Sequence, residues 1–569
     1  MRLRVGSVAD LRVAGRILTK VGSHGVCVFW HDERPYALDD RCPHMGFPLH
    51  RGTVEDGLVT CHWHHARFDL VSGGTLDPFA DDARSYPVEV EDGDVFVVAT
   101  DVDPGTERLR HRLVEGLESG LTLVIAKSVI RLLEDGTDSG EIVRIGVEFG
   151  VANRREGWGS GLTVLVAMAN LLPRLEVRDR PLALVHGLAF LARDTRNHAP
   201  RFPTAPLEEV ESLSRLAGWY RRFVETRAGA AAERVLVSAL ANGAGPEEVG
   251  PMMMAAATDH VFLDGGHVLD FTNKAFEALD LLGWDSSGPV LSTLVDQTAG
   301  ASRAEEAGRW RHPDDLAALV WRAHERLPAA LAEGAAGSHR FGDAADLARR
   351  MLVDDPELVV DEVLGAAADG AAPEELARAL ALAAALRITR FHVQNDLGDW
   401  DSVHHAFTFA NAVHQCARRW PGPEVVRAVV HGALRVYLDR FLNVPAARLP
   451  SSRSGDLSEL QACWDTQGQV EVAGAIVYGY LQAGGDADEV VAALGHALLS
   501  EDAGFHWYQV VEAAARQAGA WPSGSEEEAL ILTGAARFLA AHTPTRRELA
   551  QVVRTATRLC RGEDVFEEE

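Results

Sequence analysis

A chain of 569 residues, 47% of them apolar, is too long for one ordinary domain and can build several cores, so two to four domains are expected. A formal net charge of −28 argues against nucleic acid and anionic membrane as partners. No run of 18 uncharged apolar residues occurs, so no membrane span is expected, and the opening MRLRVGSVADLRV lacks the apolar core and cleavage site of a secretory signal. The cysteines Cys27, Cys42, Cys61, Cys416, Cys463 and Cys560 are too sparse for a disulfide framework, so a reducing, cytoplasmic setting is expected.

Residues 1–100 read as strands. Short apolar runs (GVCVFW, LVTCHW, YPVEV, DVFVVA) alternate with turn signals such as HDER, VEDG, SGG and EDGD. Two loops carry metal-ligand chemistry: Cys42-Pro43-His44-Met45-Gly46 and Cys61-His62-Trp63-His64. Two cysteines and two histidines would also make a structural zinc site. Zinc sites usually pair like ligands at short spacing, whereas here each loop supplies one of each kind.

The flanking segments CPHMGFPL, CHWHHARFDL, GGTLDP and YPVEVEDGDVFV closely resemble the Rieske ferredoxin family over the whole first hundred residues. The resemblance implies a [2Fe–2S] cluster, with Cys42 and Cys61 on one iron and His44 and His64 on the other. High-potential members carry an additional cysteine after the loop glycine. Here Phe47 follows Gly46 and His65 follows His64, which places the chain with the low-potential ferredoxin and oxygenase branch. His65 stands where a glycine is common.

From about residue 106 the apolar spacing changes to three and four, so the remainder is expected to be helical. It also repeats itself. GWGSGLTVLVAMANLLPRL (157–175) resembles DWDSVHHAFTFANAVHQCA (399–417). His186-Gly187, Asp194 and Pro200 match His431-Gly432, Asp439 and Pro445 at one constant offset. The expected organisation is an all-β Rieske domain (1–103), a first helical half (106–300), connecting helices (301–344) and a second related half (345–569). Recurrent helix openings in GTDSGEIVRIGVEFG, GAGPEEVGPMMMAAA, GAAPEELARALALAA and GGDADEVVAALGHAL suggest four stacked units.

Several histidines are not required by the repeat. His260 and Asp264, and likewise His392 and Asp396, are four apart, a spacing that on a helix puts imidazole and carboxylate on one face. His267, His404, His405 and His506 lie near corresponding places. Neutral imidazoles with a carboxylate are what non-haem iron takes. These eight residues are therefore the candidate catalytic set, whereas His186 and His431, present in both halves, read as structural.

GWGSG at 157–161 lacks the preceding strand of a phosphate loop, and no dinucleotide fold is recognisable. Electrons are therefore expected from an external NAD(P)H-dependent reductase or a ferredoxin. The expected activity is that of a Rieske-dependent oxidoreductase, an oxygenase acting on a small organic substrate at a non-haem metal. The alternative is an electron-transfer or redox-sensing protein whose helical array docks a partner.

Overall fold

The computed structural model describes residues 2–22, 24–98, 105–337, 340–449, 455–563 and 565. The expected domain boundary at residue 103, and the ends at 1 and 569, lie outside them. The chain divides into two units, Met1–Ile142 with Leu549–Glu569, and Val143–Glu548.

The first unit is built on three antiparallel sheets. One joins β1 (Arg2–Ser7), β10 (Asp94–Val98) and β9 (Val88–Glu91); a second orders β2 (Arg16–Val21), β3 (His24–His31), β4 (Arg34–Asp39) and β8 (Ser85–Tyr86). The third is a small sheet of β5 (Thr53–Glu55), β6 (Leu58–Thr60) and β7 (Arg67–Asp69). Side chains alternate across a strand, and β3 uses both faces. Val26 and Val28 enter a core with Ala37, Tyr86, Val95 and Val97. Cys27 and Phe29 enter a second core with Leu38, Val59 and Phe68. That second core also holds Cys42 and Cys61, so the strand pattern itself anchors both cysteine loops. The first loop follows β4, and the second is the β6–β7 turn.

Besides the short α1 (Val8–Ala14), two helices, α2 (Thr106–Ser119) and α3 (Thr122–Glu134), pack on each other and belong to this same unit, as does the closing Glu548–Cys560 helix from Leu549 onward. The described secondary-structure elements of the second unit are all helices. The Ser160–Leu171 helix packs on Arg180–Thr195, and Leu397–Arg419 packs on Pro423–Leu438. The His267–Leu282, Leu397–Arg419, Phe505–Ala518 and Glu526–His542 helices meet in its interior. No described helix is long and apolar enough to cross a membrane.

Candidate functional site

In the first unit the two cysteine loops are built alike. Cys42 N–H donates to the Phe47 carbonyl and Gly46 N–H to the Cys42 carbonyl, each at 2.8 Å. In the second loop Cys61 N–H donates to Ala66 (2.8 Å) and His65 N–H to Cys61 (3.0 Å). Both loops therefore need a left-handed residue at the same place, Gly46 at φ 88° and His65 at φ 61°. This is where His65 departs from the glycine that the sequence pattern leads one to expect. A side chain at positive φ costs ~1–2 kcal/mol, and glycine's extra unfolded freedom offsets ~0.5–1 kcal/mol of that. His65→Gly is accordingly expected to stabilise the first unit by roughly 0.5–1 kcal/mol, read from its thermal melt, with an unchanged visible spectrum.

Backbone N–H groups of His44 and Met45 point at the Cys42 sulfur, and those of Trp63 and His64 at the Cys61 sulfur. The two sulfurs also share a hydrogen bond, which lowers Cys61 to about 6 and raises Cys42. The His44 and His64 rings lie edge to face, 4.7 Å between centroids. Burial, then His64 and Lys127, lower His44 to about 4; burial, then His65, lower His64. His44 Nδ1 is buried without a hydrogen-bond partner among the described residues. Paired sulfurs fed by N–H donors, beside two neutral imidazoles of which one bears an orphaned nitrogen, fit a cluster with mixed ligation.

In the second unit four imidazoles converge. Ring centroids are 4.0 Å apart for His404 and His506, 4.4 Å for His405 and His506, and 5.0 Å for His267 and His405. His267 Nε2 is 3.2 Å from His405 Nε2. One nitrogen from each of His267, His405 and His506 lies within 4.8 Å of the other two, and the same holds for the ligand atoms of Asp401, His404 and His506. The elements explain the meeting. His267 opens its helix directly after Gly266, at φ 100°, where a Cβ would press on Phe262 and Phe409. Asp401, His404 and His405 share one face of the Leu397–Arg419 helix. His506 occupies the first turn of the Phe505–Ala518 helix.

Three of the rings, His404, His405 and His506, are held neutral. Burial, then His267, lowers His405 to about 4; burial, then His405 and His267, lowers His506 to about 2; burial, then His506 and His405, holds His404 well below its ordinary value. His405 Nδ1–H donates to the Asp401 carbonyl, which leaves its Nε2 lone pair facing His267. Among the described residues both nitrogens of His404 and Nε2 of His506 are buried without a hydrogen-bond partner. A buried polar atom left unpaired costs ~1–3 kcal/mol. A cation would satisfy several of them at once.

Of the eight candidates, His267, His404, His405 and His506 are brought together, and His260, Asp264, His392 and Asp396 are not. The expected helical pairing of His260 with Asp264 is corrected by the backbone: Phe262, Asp264, Gly265 and Gly266 all have positive φ, so the chain turns there. His260 lies instead between Glu305 and Glu225, each at 2.7 Å. Asp264 accepts from Ser302 Oγ at 3.3 Å. His392 stands in the turn before the Leu397–Arg419 helix, where its Nδ1 accepts from Gln394 N–H (3.2 Å), and Asp396 is the N-cap of that helix. Asp401 and His542 were not foreseen. Asp401 was legible, since D-x-x-H-H places it on the face of His404 and His405. His542, whose ring is 4.4 Å from Phe538, had no sequence signal.

A buried charged stripe runs down from the histidines. Asp270, Lys274 and Glu277 follow His267 on one helix face, and Gln509, Glu512 and Arg516 follow His506 on another. Lys274, 1% exposed, lies 2.8 Å from both Glu277 and Glu512. Asn170 donates to the same two carboxylates at 2.8 and 3.0 Å. Gln509 donates to Asp270.

The first unit thus has the paired cysteine–histidine loops and the sheet scaffold that suit an iron–sulfur electron-transfer domain. Residues 1–87 match the family described as Rieske [2Fe-2S] domain. The chain is 35% identical over 94 residues to the ferredoxin component of the alkene monooxygenase system of Xanthobacter autotrophicus, covering 16% of this chain and 77% of that protein. It is 35% identical over 78 residues to the 3-phenylpropionate/cinnamic acid dioxygenase ferredoxin subunit of Photorhabdus laumondii (13% and 74%). Among solved structures it is similar to the ferredoxin of carbazole 1,9a-dioxygenase from Nocardioides aromaticivorans IC177, at 23% identity and TM-score 0.17, over 18% of this chain and 99% of that one. Through its N-terminal domain the chain belongs to the Rieske [2Fe–2S] family, and electron transfer is the chemistry of that domain.

Proposed function

We propose that this protein is a Rieske-dependent oxidoreductase, an oxygenase whose electrons pass from an external NAD(P)H-dependent reductase or ferredoxin, through the cluster, to a non-haem metal in the helical region. Cys42 and Cys61 would hold one iron of the cluster and His44 and His64 the other, supplying one-electron transfer. His267, His404, His405 and His506, with Asp401 as the carboxylate, would hold a non-haem iron, supplying dioxygen activation toward a small organic substrate. The protein's own part is orientation and exclusion of water. The Asp401 carbonyl fixes the His405 tautomer. Phe271, Phe505 and Phe538 flank the rings at centroid distances of 5.2–5.8 Å and keep the site apolar. The relatives, named as ferredoxins of a monooxygenase system and of a dioxygenase, agree with this division of labour. The helical region is read as two related halves, and the setting as cytoplasmic.

The observation that carries the reading is the meeting of four imidazoles, of which His404 and His506 carry buried nitrogens without a hydrogen-bond partner among the described residues, in a chain that also holds an electron-transfer domain. Metal analysis of the purified full chain tests it. The expected result is more than two irons per chain, two in the cluster and the rest chelatable without loss of the cluster's colour. Two irons and no other transition metal would instead support an electron carrier or redox sensor whose helical array docks a partner.

A further inference from the structure

We propose that Lys127, on α3, is a positioning residue for the iron–sulfur site: its buried ammonium holds the first cysteine loop and raises the cluster's reduction potential. The proposal rests on the cluster being held by Cys42, His44, Cys61 and His64.

Lys127 Nζ donates to the Pro43 carbonyl at 2.9 Å, and Pro43 stands between two ligand residues, Cys42 and His44. The residue is 2% exposed. Its neighbours on α3, Val124, Ile125, Ala126, Ser128 and Val129, are buried as well, so nothing in the packing of this helix calls for a lysine. Replacing a buried ion pair by apolar residues is often neutral or stabilising, so a retained one calls for a role beyond stability.

The counter-charge is built in. Asp81 pairs with Lys127 and accepts from Arg112 Nε at 2.9 Å. Arg112 donates further to the Pro78 and Ala80 carbonyls, both at 2.6 Å, fixing the loop that carries Asp81. Lys127 and Arg112 face one half-buried carboxylate, and Lys127 is the charge seated on the cluster loop. Reduction adds an electron to the cluster, and a fixed positive charge in a poorly solvated site favours that state. The same ammonium restrains the Pro43 carbonyl, and with it the separation of Cys42 and His44. On this view α2 and α3 are working parts of the redox unit.

The test is a redox titration of the full chain, followed by the electron resonance signal of the reduced cluster. Lys127→Gln is expected to lower the midpoint potential, and Lys127→Arg, which keeps the charge, to stay near the parent value. A purely structural lysine would give equal potentials in all three, or would shift Gln and Arg together; either outcome overturns the proposal. If Lys127→Gln fails to take up the cluster, Lys127→Gln combined with Asp81→Asn leaves no lone charge against the loop. That double variant is expected to show a smaller fall, and an unchanged or raised potential would overturn the proposal. Absence of the mixed-ligand signal from the parent protein would overturn the cluster assignment itself, a result distinct from any shift among variants.

Discussion

His506→Ala is expected to strip the non-cluster metal from the protein while leaving the reduced cluster's electron resonance signal as it is in the parent. His506 is the one residue common to both groups of convergent ligand atoms, His267–His405–His506 and Asp401–His404–His506. Removing it breaks both sets. Loss of a partner that only orients a ligand weakens metal binding about 10–100-fold, so loss of a shared ligand is expected to exceed about 100-fold. Asp401→Asn keeps the shape and the backbone carbonyl that orients His405, and is expected to fall within about 10–100-fold. His260→Ala is the contrasting case. Its ring links Glu305 and Glu225, so its removal is expected to lower stability by ~1–3 kcal/mol through unpaired groups and to leave the metal content intact. Competitive titration with a chromogenic chelator reads all three. Equal metal affinity in His506→Ala and the parent would end the proposal of a histidine-bound metal.

The cysteine loops were legible because their ligand pattern is local. Each pairs Cys with His across one or two residues, and the flanking strands announce themselves by alternation, which β3 then uses to seed two cores. The helical site is different in kind. His267, His404 and His506 are each separated from the next by more than a hundred residues, and they meet only because three helices present particular faces to one another. Sequence could point to residues of the right chemistry and could not tell which would face inward. The spacing of His260 and Asp264 argued for a shared helix face. Four positive-φ positions between Phe262 and Gly266 remove the helix on which that argument depended. His392 and Asp396 fail likewise, since Asp396 serves as an N-cap and helical periodicity begins only after it. The charged stripe was missed for another reason. Lys274, Glu277 and Glu512 read one at a time as solvated charges, the usual fate of such residues. Only the packed helices show that Lys274 and Glu512 are each 1% exposed.

Lys274→Met is expected to cost the helical unit ~3–5 kcal/mol, the magnitude that follows when one partner of a buried ion pair is removed. Lys274 is held between Glu277 and Glu512, each at 2.8 Å, and all three are at most 2% exposed. Methionine matches the volume but leaves two buried carboxylates with Arg516 as their one cationic partner among the described residues, 3.4 Å from Glu277 and closer to Glu512. The pH dependence follows from the same contacts. Burial by itself would raise Glu277, but Lys274 and Arg516 hold it at about 2, below its ordinary 4.5. Its contribution is therefore complete above about 4.5 and is lost as the pH falls from there toward 2. Lys274 is raised above its ordinary 10.5, so its contribution is complete below that value and is lost only at more alkaline pH. In Lys274→Met a carboxylate can shed its uncompensated charge by taking up a proton, so the deficit is expected to be largest near neutrality and to narrow in acid. Urea unfolding followed by tryptophan emission, with the cluster's absorbance reporting the first unit separately, measures both trends. Lys274→Met combined with Glu512→Gln is expected to recover part of the loss, because the two residues act as one network. A loss below about 1 kcal/mol, the range of solvent-exposed pairs, would mean that water reaches the stripe and that its charges are not sealed beneath the histidines.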